Sequence, residues 1–201
     1  DNGGEGHDME QVPMLAPWIS KNFDNSVDSI GARNSYVSLG PSWTRAAIPV
    51  FRGSKSKMSE GGTRVPAIVK LPGGRSGVES GFMRIVDLPA TFLELADGAA
   101  EGMIGQSLLP NWKNGAQIYS DQVVVAAEAF GRRTARKGHW KILLQPAPYG
   151  TGDWQLFNLR EDLGEQRDLS ANHPEIKDEL VQAYEAFAEA EGVICRSSDP
   201  I

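Results

Sequence analysis

Apolar and polar positions divide the chain into three regimes. Residues 1–35 are rich in Gly, Asn, Asp and Ser and carry no sustained apolar period, apart from the island VPMLAPWI. That composition predicts a long surface excursion or a flexible terminus, and surface loops of this kind often carry function. Residues 36–39 suit a short strand and Trp43 to Ala47 a helical turn. Residues 65–71 (VPAIVKL) are mostly apolar and alternate little, which predicts a strand buried on both faces of a parallel sheet, with Pro66 near its start. A helix follows, with Asp87 as its cap and Pro89 in its first turn. Leu88, Phe92, Leu95 and Ala96 form its apolar side, and Gly98 stops it.

Beyond a Gly- and Asn-containing linker over residues 98–115, the period changes to that of short strands. Residues 122–127, 134–136, 140–144 and 154–159 read as four strands at hairpin spacing, with Lys137-Gly138-His139 in one turn. Pro174 then opens a long helix whose Ile176, Leu180, Val181, Tyr184, Phe187 and Ala188 fall on one stripe. Residues 116–201 are therefore expected to form a small antiparallel sheet carrying one helix, and residues 1–115 part of an α/β core. One strand and one helix are too few for a doubly wound sheet, so the partner strands are expected from sequence upstream of Asp1.

Composition narrows the function. The 201 residues are 40% hydrophobic, enough for a packed core, and carry a formal charge of −6, which argues against general nucleic-acid binding. No apolar run approaches the roughly 18 residues of a membrane span. The single Cys195 excludes an internal disulfide framework and any thiolate zinc site. His7, His139 and His173 lack zinc-ligand spacing; His7 is a loop histidine within reach of a carboxylate or a substrate. A soluble protein of a bacterial cytoplasm or periplasm is expected.

Two segments carry candidate chemistry. Asp1 and Asn2 are adjacent hard-oxygen donors suited to calcium or magnesium, although Asp-Asn-Gly is also a common turn. In KSKMSEGGTRVPAIVKLP, Lys55 precedes Gly61-Gly62 and the apolar run, so the chain can bring an ammonium group to an anionic substrate.

Taken in order, Asp1-Asn2-Gly3, YVSLGPSW, Lys55 with EGGTRVPAIVKLP, HWKILLQPAPYG and WQLFNLREDLGEQRDL resemble the C-terminal half of a type I arylsulfatase of the alkaline-phosphatase superfamily. The resemblance runs from Asp1 to about Val193. It implies a partial alkaline-phosphatase-like parallel α/β sheet followed by the antiparallel subdomain. Asp1 and Asn2 would be two ligands of a divalent cation, usually calcium, and Lys55 would contact the sulfate and the leaving oxygen. The implied activity is hydrolysis of aryl or similar sulfate monoesters. The family's formylglycine arises from a Cys/Ser-x-Pro-x-Arg motif, which these residues lack; Cys195 is followed by Arg196, Ser197 and Ser198. The nucleophile and the catalytic histidines are thus expected in an N-terminal half outside this chain. The alternatives are a phosphonate monoester or phosphodiester hydrolase, or a non-catalytic cation- or partner-binding fragment. Counting back from Gly61-Gly62 selects Lys55, leaving Lys57 as a solvated neighbour. Arg64 is expected to pair with an anion and hold the glycine turn. Arg132, Arg133, Arg136 and Lys137 read as a solvated hairpin edge, and Trp140, Trp154 and Phe157 as core.

Overall fold

The computed structural model describes residues 3–194 and divides into two compact units. Unit 1 comprises the chain up to Val65 together with the chain from Val124 onward; unit 2 is Pro66–Val123. Asp1, Asn2 and Cys195 lie outside the described residues.

Unit 1 is organised by a four-stranded antiparallel sheet in the order β1 (Val124–Ala129), β2 (Arg132–Lys137), β3 (Trp140–Leu144) and β4 (Gln155–Asn158). Each strand pairs with its sequence neighbour, so the sheet is a meander built from local hairpins. The register pairs Ala126 with Ala135, Ala135 with Ile142, and Ile142 with Leu156. These four residues lie in a row across the sheet, and the helix α6 (Pro174–Ala190) closes over that face. Ala135, Ile142, Leu156, Leu180 and Tyr184 are buried there, with Ile176, Val181, Phe187 and Ala188 packed around them. Every apolar position of the expected α6 stripe is therefore used. Trp154 meets Tyr184 edge-on at 5.1 Å, and Trp140 borders the same cluster. Phe157 points from the other face and is also fully buried.

The N-terminal part of unit 1 holds α1 (Ala16–Asn22), α2 (Gly40–Ala47) and the single turn α3 (Glu60–Thr63). The apolar island folds into α1, where Trp18 meets Phe23 and Tyr36 at 5.2 and 6.1 Å. Residues 36–39 form no strand; Tyr36 instead receives a hydrogen bond from Asn25 Oδ1 at its N–H, and its carbonyl accepts one from Asn25 Nδ2.

Unit 2 departs furthest from expectation. Residues 65–71 are not in a strand, and Ile68 is 99% exposed. Among the described residues no other strand lies beside this run, and a strand without a ladder partner has no reason to form. The helix α4 (Asp87–Leu95) is present, but Ala90 and Thr91 face inward while Phe92 is 58% exposed. The Asp87 carboxylate does not cap the helix. It accepts the N–H of Arg84 (2.6 Å) and of Gln106 (3.0 Å) and the Tyr119 hydroxyl, tying three segments together. Burial and the Asp87 carboxylate push the Tyr119 phenol upward. The expected linker also contains a helix, α5 (Leu109–Asn114), which starts with Pro110 and ends at Gly115 in a left-handed conformation. The buried pair Leu108 and Leu109 supplies the apolar contact that a purely polar linker would lack.

Removing the centre of the sheet–helix core should be costly where removing the α4 stripe is not. Leu156→Ala is expected to lower the unfolding free energy by about 2–5 kcal/mol. Phe92→Ser should stay within about 0.5 kcal/mol. Urea titrations of the two variants check both values.

Candidate active site

The chain immediately after Asn2 is laced to the turn that carries Lys55. Gly3 N–H donates to Gly62 C=O at 3.0 Å, and Lys55 N–H donates to Gly4 C=O at 2.9 Å. A Cβ on Gly3 would overlap the Gly61 carbonyl, and one on Gly62 would overlap the carbonyls of Ser54 and Lys57. Only glycine allows three backbone segments to approach this closely. Gly61 N–H is itself used, donating to Arg52 C=O at 2.8 Å. The fixed spacing in the sequence between Lys55 and Gly61-Gly62 is thus a packing constraint that sets where the lysine stands.

The Lys55 side chain is half-exposed, and its ammonium lies 3.7 Å from Glu5 Oε2. At that range Glu5 supplies opposite charge without occupying the three N–H donors, which stay available to an anion. Glu5 is positioned from behind: its backbone carbonyl accepts the hydroxyl of buried Thr44 on α2. Its other carboxylate oxygen receives the His7 N–H at 2.9 Å and lies 2.6 Å from His7 Nδ1. Burial pushes the Glu5 carboxyl up, but the His7 bonds and the Lys55 charge outweigh it and leave Glu5 below the ordinary glutamate value. Glu5 has no sequence signature beyond lying three residues after Asn2, and it is absent from the sequence reading. His7, expected near a carboxylate or substrate, is on the carboxylate.

Beneath this turn lies a buried ionic cluster. Lys141, on β3 and 3% exposed, reaches Glu60 Oε1 at 2.8 Å and Glu165 Oε1 at 2.8 Å. Glu60 begins α3, and its N–H donates to Glu165 Oε2 at 2.8 Å. Arg64 pairs with Glu60 Oε2 at 3.4 Å, the anion partner expected of it beside the glycine turn. Burial alone would raise the Glu60 carboxyl, but Lys141, with Arg136 and Arg64, brings it below its usual value. Glu165 is 1% exposed and sits at a left-handed φ of 51°; burial raises its carboxyl against the pull of Lys141, and the neighbouring Glu60 charge adds to the rise. The cluster clamps the glycine turn onto the sheet.

Two residues read as solvated are not. Lys57 Nζ stands 3.0 Å from the centroid of the Tyr149 ring, and Arg132 is buried. The basic run lies on β2, an inner strand, so it is no edge. Arg132 turns toward Ser56, while Lys137 pairs with Glu179 at 2.6 Å. In the three-dimensional arrangement Lys55 and the residues following Asp1-Asn2 come together, whereas His139 and His173 lie beside Trp140 on the sheet. Among the described residues no group of three or more His, Cys, Asp or Glu side chains forms a metal cage.

Deleting the central cation tests the clamp. Lys141→Met leaves two buried carboxylates facing each other and is expected to lower stability by about 3–5 kcal/mol at pH 7. Both carboxyls would then have folded values above the unfolded ~4.3. The folded state would hold extra protons, so the deficit should shrink as pH falls from 7 to 5. In the unaltered protein, the stability contributed by the lowered Glu60 persists throughout that window and is lost only as pH falls through its depressed value. Chemical denaturation of both proteins at the two pH values measures the difference.

No protein-family profile matches the chain. It is 32% identical over 213 residues to an uncharacterized sulfatase of Schizosaccharomyces pombe, covering 99% of this chain and 38% of that protein. It is also 32% identical over 102 residues to an arylsulfatase of Klebsiella aerogenes, covering 48% of this chain and 21% of the relative. The chain therefore spans well under half the length of these curated relatives. Among solved structures, a Bacteroides thetaiotaomicron protein described under metabolism of multiple glycosaminoglycans superposes with a TM-score of 0.60 at 22% identity, over 70% of this chain and 32% of that one. Ps i-CgsB superposes at 0.52 and 23% identity, over 69% of this chain and 32% of its own. These superpositions carry the fold, and the sequence matches carry the family. On that ground the chain belongs to the sulfatase family.

Proposed function

We propose that the protein is a sulfuric-ester hydrolase in which this chain contributes Lys55 to the substrate and Asp1 and Asn2 to a divalent cation. The observation that carries the reading is the lacing of Gly3 and Gly4 to the Lys55 turn. Two segments about fifty residues apart, one following the oxygen donors and one bearing the ammonium, share a single glycine-packed contact. Membership of a family whose relatives are hydrolases supports the same activity.

Cleavage of a sulfate monoester breaks the bond between sulfur and the bridging oxygen, which leaves with the bonding pair. Lys55 is suited to hold that oxygen, because an ammonium fixed where negative charge develops stabilises the transition state more than the ground state. Glu5 keeps the lysine charged and oriented. A resident calcium ion would neutralise the non-bridging sulfate oxygens. Carboxylate and carboxamide oxygens are the hard donors it prefers, and with six to eight ligands required the others come from outside the described residues. The tight Gly3–Gly61 contact suits such a site, since it anchors the chain right behind the donors. A formylglycine, expected outside this chain, would supply the attacking oxygen. The same reading puts residues 65–71 in the parallel sheet of an alkaline-phosphatase-like core. The domain reading keeps residues 1–115 as core and 116–201 as subdomain. The partners are then a small sulfate ester and the N-terminal half of the enzyme, with no nucleic acid. Among the described residues no helix is long and apolar enough to cross a membrane.

Assay of the full-length protein on an aryl sulfate with calcium tests this. Lys55→Ala should reduce kcat/KM by about 10²–10³-fold, and a chelator should remove activity that added calcium restores. Faster turnover of a phenylphosphonate monoester would move the enzyme to phosphonate hydrolysis. No turnover of either ester by a folded, calcium-loaded protein would leave a binding role.

A further inference from the structure

Each basic side chain beneath the Lys55 turn has a carboxylate except two. Lys141 has Glu60 and Glu165, and Arg64 has Glu60. Among the described residues neither Lys57 nor Arg132 has a carboxylate within ion-pairing distance, and the charge nearest to Lys57 is Arg132 itself. Arg132 is 2% exposed. Its guanidinium donates one hydrogen bond to Ser56 C=O at 2.9 Å, and its Nε is buried without any hydrogen-bond partner. What covers the pair is aromatic. The Tyr149 ring has Lys57 Nζ at 3.0 Å and the Arg132 guanidinium carbon at 5.2 Å from its centroid, and Phe130 lies 6.0 Å from the latter. Both rings are largely open to solvent on their outer sides.

Two cations buried side by side without an anion repel each other and lose hydration. The faces of two aromatic rings compensate only in part. An oxyanion completes the arrangement: it would accept from the guanidinium and from the ammonium and cancel the repulsion between them. Lys57 is two residues from Lys55, so along the backbone the two side chains start no more than ~7 Å apart. We propose that Lys57 and Arg132 bind a second oxyanion, a sulfate or carboxylate, of the same substrate whose sulfate ester Lys55 takes, with Tyr149 as the cover that moves aside. The inference rests on the hydrolase reading above and makes the substrate class a multiply anionic sulfate ester. Burial, and then the Arg132 charge, lower the Lys57 ammonium to about 8, as expected of a cation lacking its counter-ion.

The test uses the full-length protein with isotope-labelled lysine and arginine side chains. The Lys57 signal, identified by its loss in Lys57→Gln, is titrated with pH in sodium sulfate and in sodium chloride at equal ionic strength. Sulfate should raise the Lys57 midpoint by about half a pH unit or more relative to chloride, because an anion favours the charged form. The Arg132 Nε–H signal should shift with sulfate, and Lys57→Gln should weaken that shift at least threefold while itself sparing the fold. Equal midpoints in the two salts, or an Arg132 signal indifferent to sulfate, overturn the site. An aryl sulfate assay on the same sample separates the two readings. Turnover with no response at Lys57 removes the second site and keeps the hydrolase. A response without turnover keeps the anion site but overturns its assignment to a substrate. With both present, Lys57→Gln should cut the preference for an ester bearing a second sulfate or carboxylate by about tenfold, roughly one charged hydrogen bond; an unchanged preference also overturns the substrate assignment.

Discussion

The salt link of Lys141 to Glu60 and Glu165 is the constraint on which the rest of unit 1 depends. Three charged groups leave water together, and such burial is tolerable only when each has its partners in good geometry. Lys141 comes from the sheet, Glu60 from the start of the glycine turn, and Glu165 from the loop after β4. No two of them are close in sequence. The cluster therefore exists only when the hairpins, the turn and the loop have all reached their places. Glu165 carries the strain of this arrangement: a non-glycine residue at positive φ, buried, its carboxyl raised. Its carboxylate also accepts the Glu60 N–H, so one side chain satisfies both a charge and a helix start.

From that clamp the placement of Lys55 follows by short steps. Glu60 fixes the first residue of α3, and Gly61 and Gly62 follow with backbone packed against backbone. Gly3 then lies on Gly61, with no room for a side chain between them. The lysine is held by main-chain bonds at its root and by one carboxylate at its tip, while its donors stay open. A group meant to stabilise charge in a transition state gains from such preorganisation, because little has to move when the charge develops.

The parts of the fold that were legible in the sequence are those whose partners lie nearby along the chain. Residues 140–144 were delimited to the residue as β3, and the six-residue stripe on α6 was read in full, because hairpins and amphipathic helices write their period locally. The run at residues 65–71 shows the converse. Its apolar content signalled burial, but burial in a parallel sheet depends on neighbours that no local period contains. The α4 stripe misled for a related reason, since Ala90 and Thr91 are small and their inward placement leaves no apolar signal. At the candidate site, Lys55 and Arg64 were legible through their spacing to Gly61-Gly62. Glu5, Lys141 and Glu165 were not, because an ion pair across tens of residues has no motif. Arg132 was misread since a run of basic residues looks alike on an edge strand and an inner one.

The distribution of charge completes the argument. The chain is acidic overall, which disfavours general attraction of polyanions. Yet Arg52, Lys55, Lys57, Arg64, Arg132 and Lys141 gather around one turn. The carboxylates there are spent in order of depth: the most buried cation has two, Arg64 shares one, and Lys55 has one at the long range of 3.7 Å. Neutralisation at the bottom makes the fold possible, and its incompleteness at the top leaves positive potential where a substrate would arrive. A protein with a repelling surface and one locally uncompensated cationic turn selects anions that can make specific contacts there, over those attracted by charge alone.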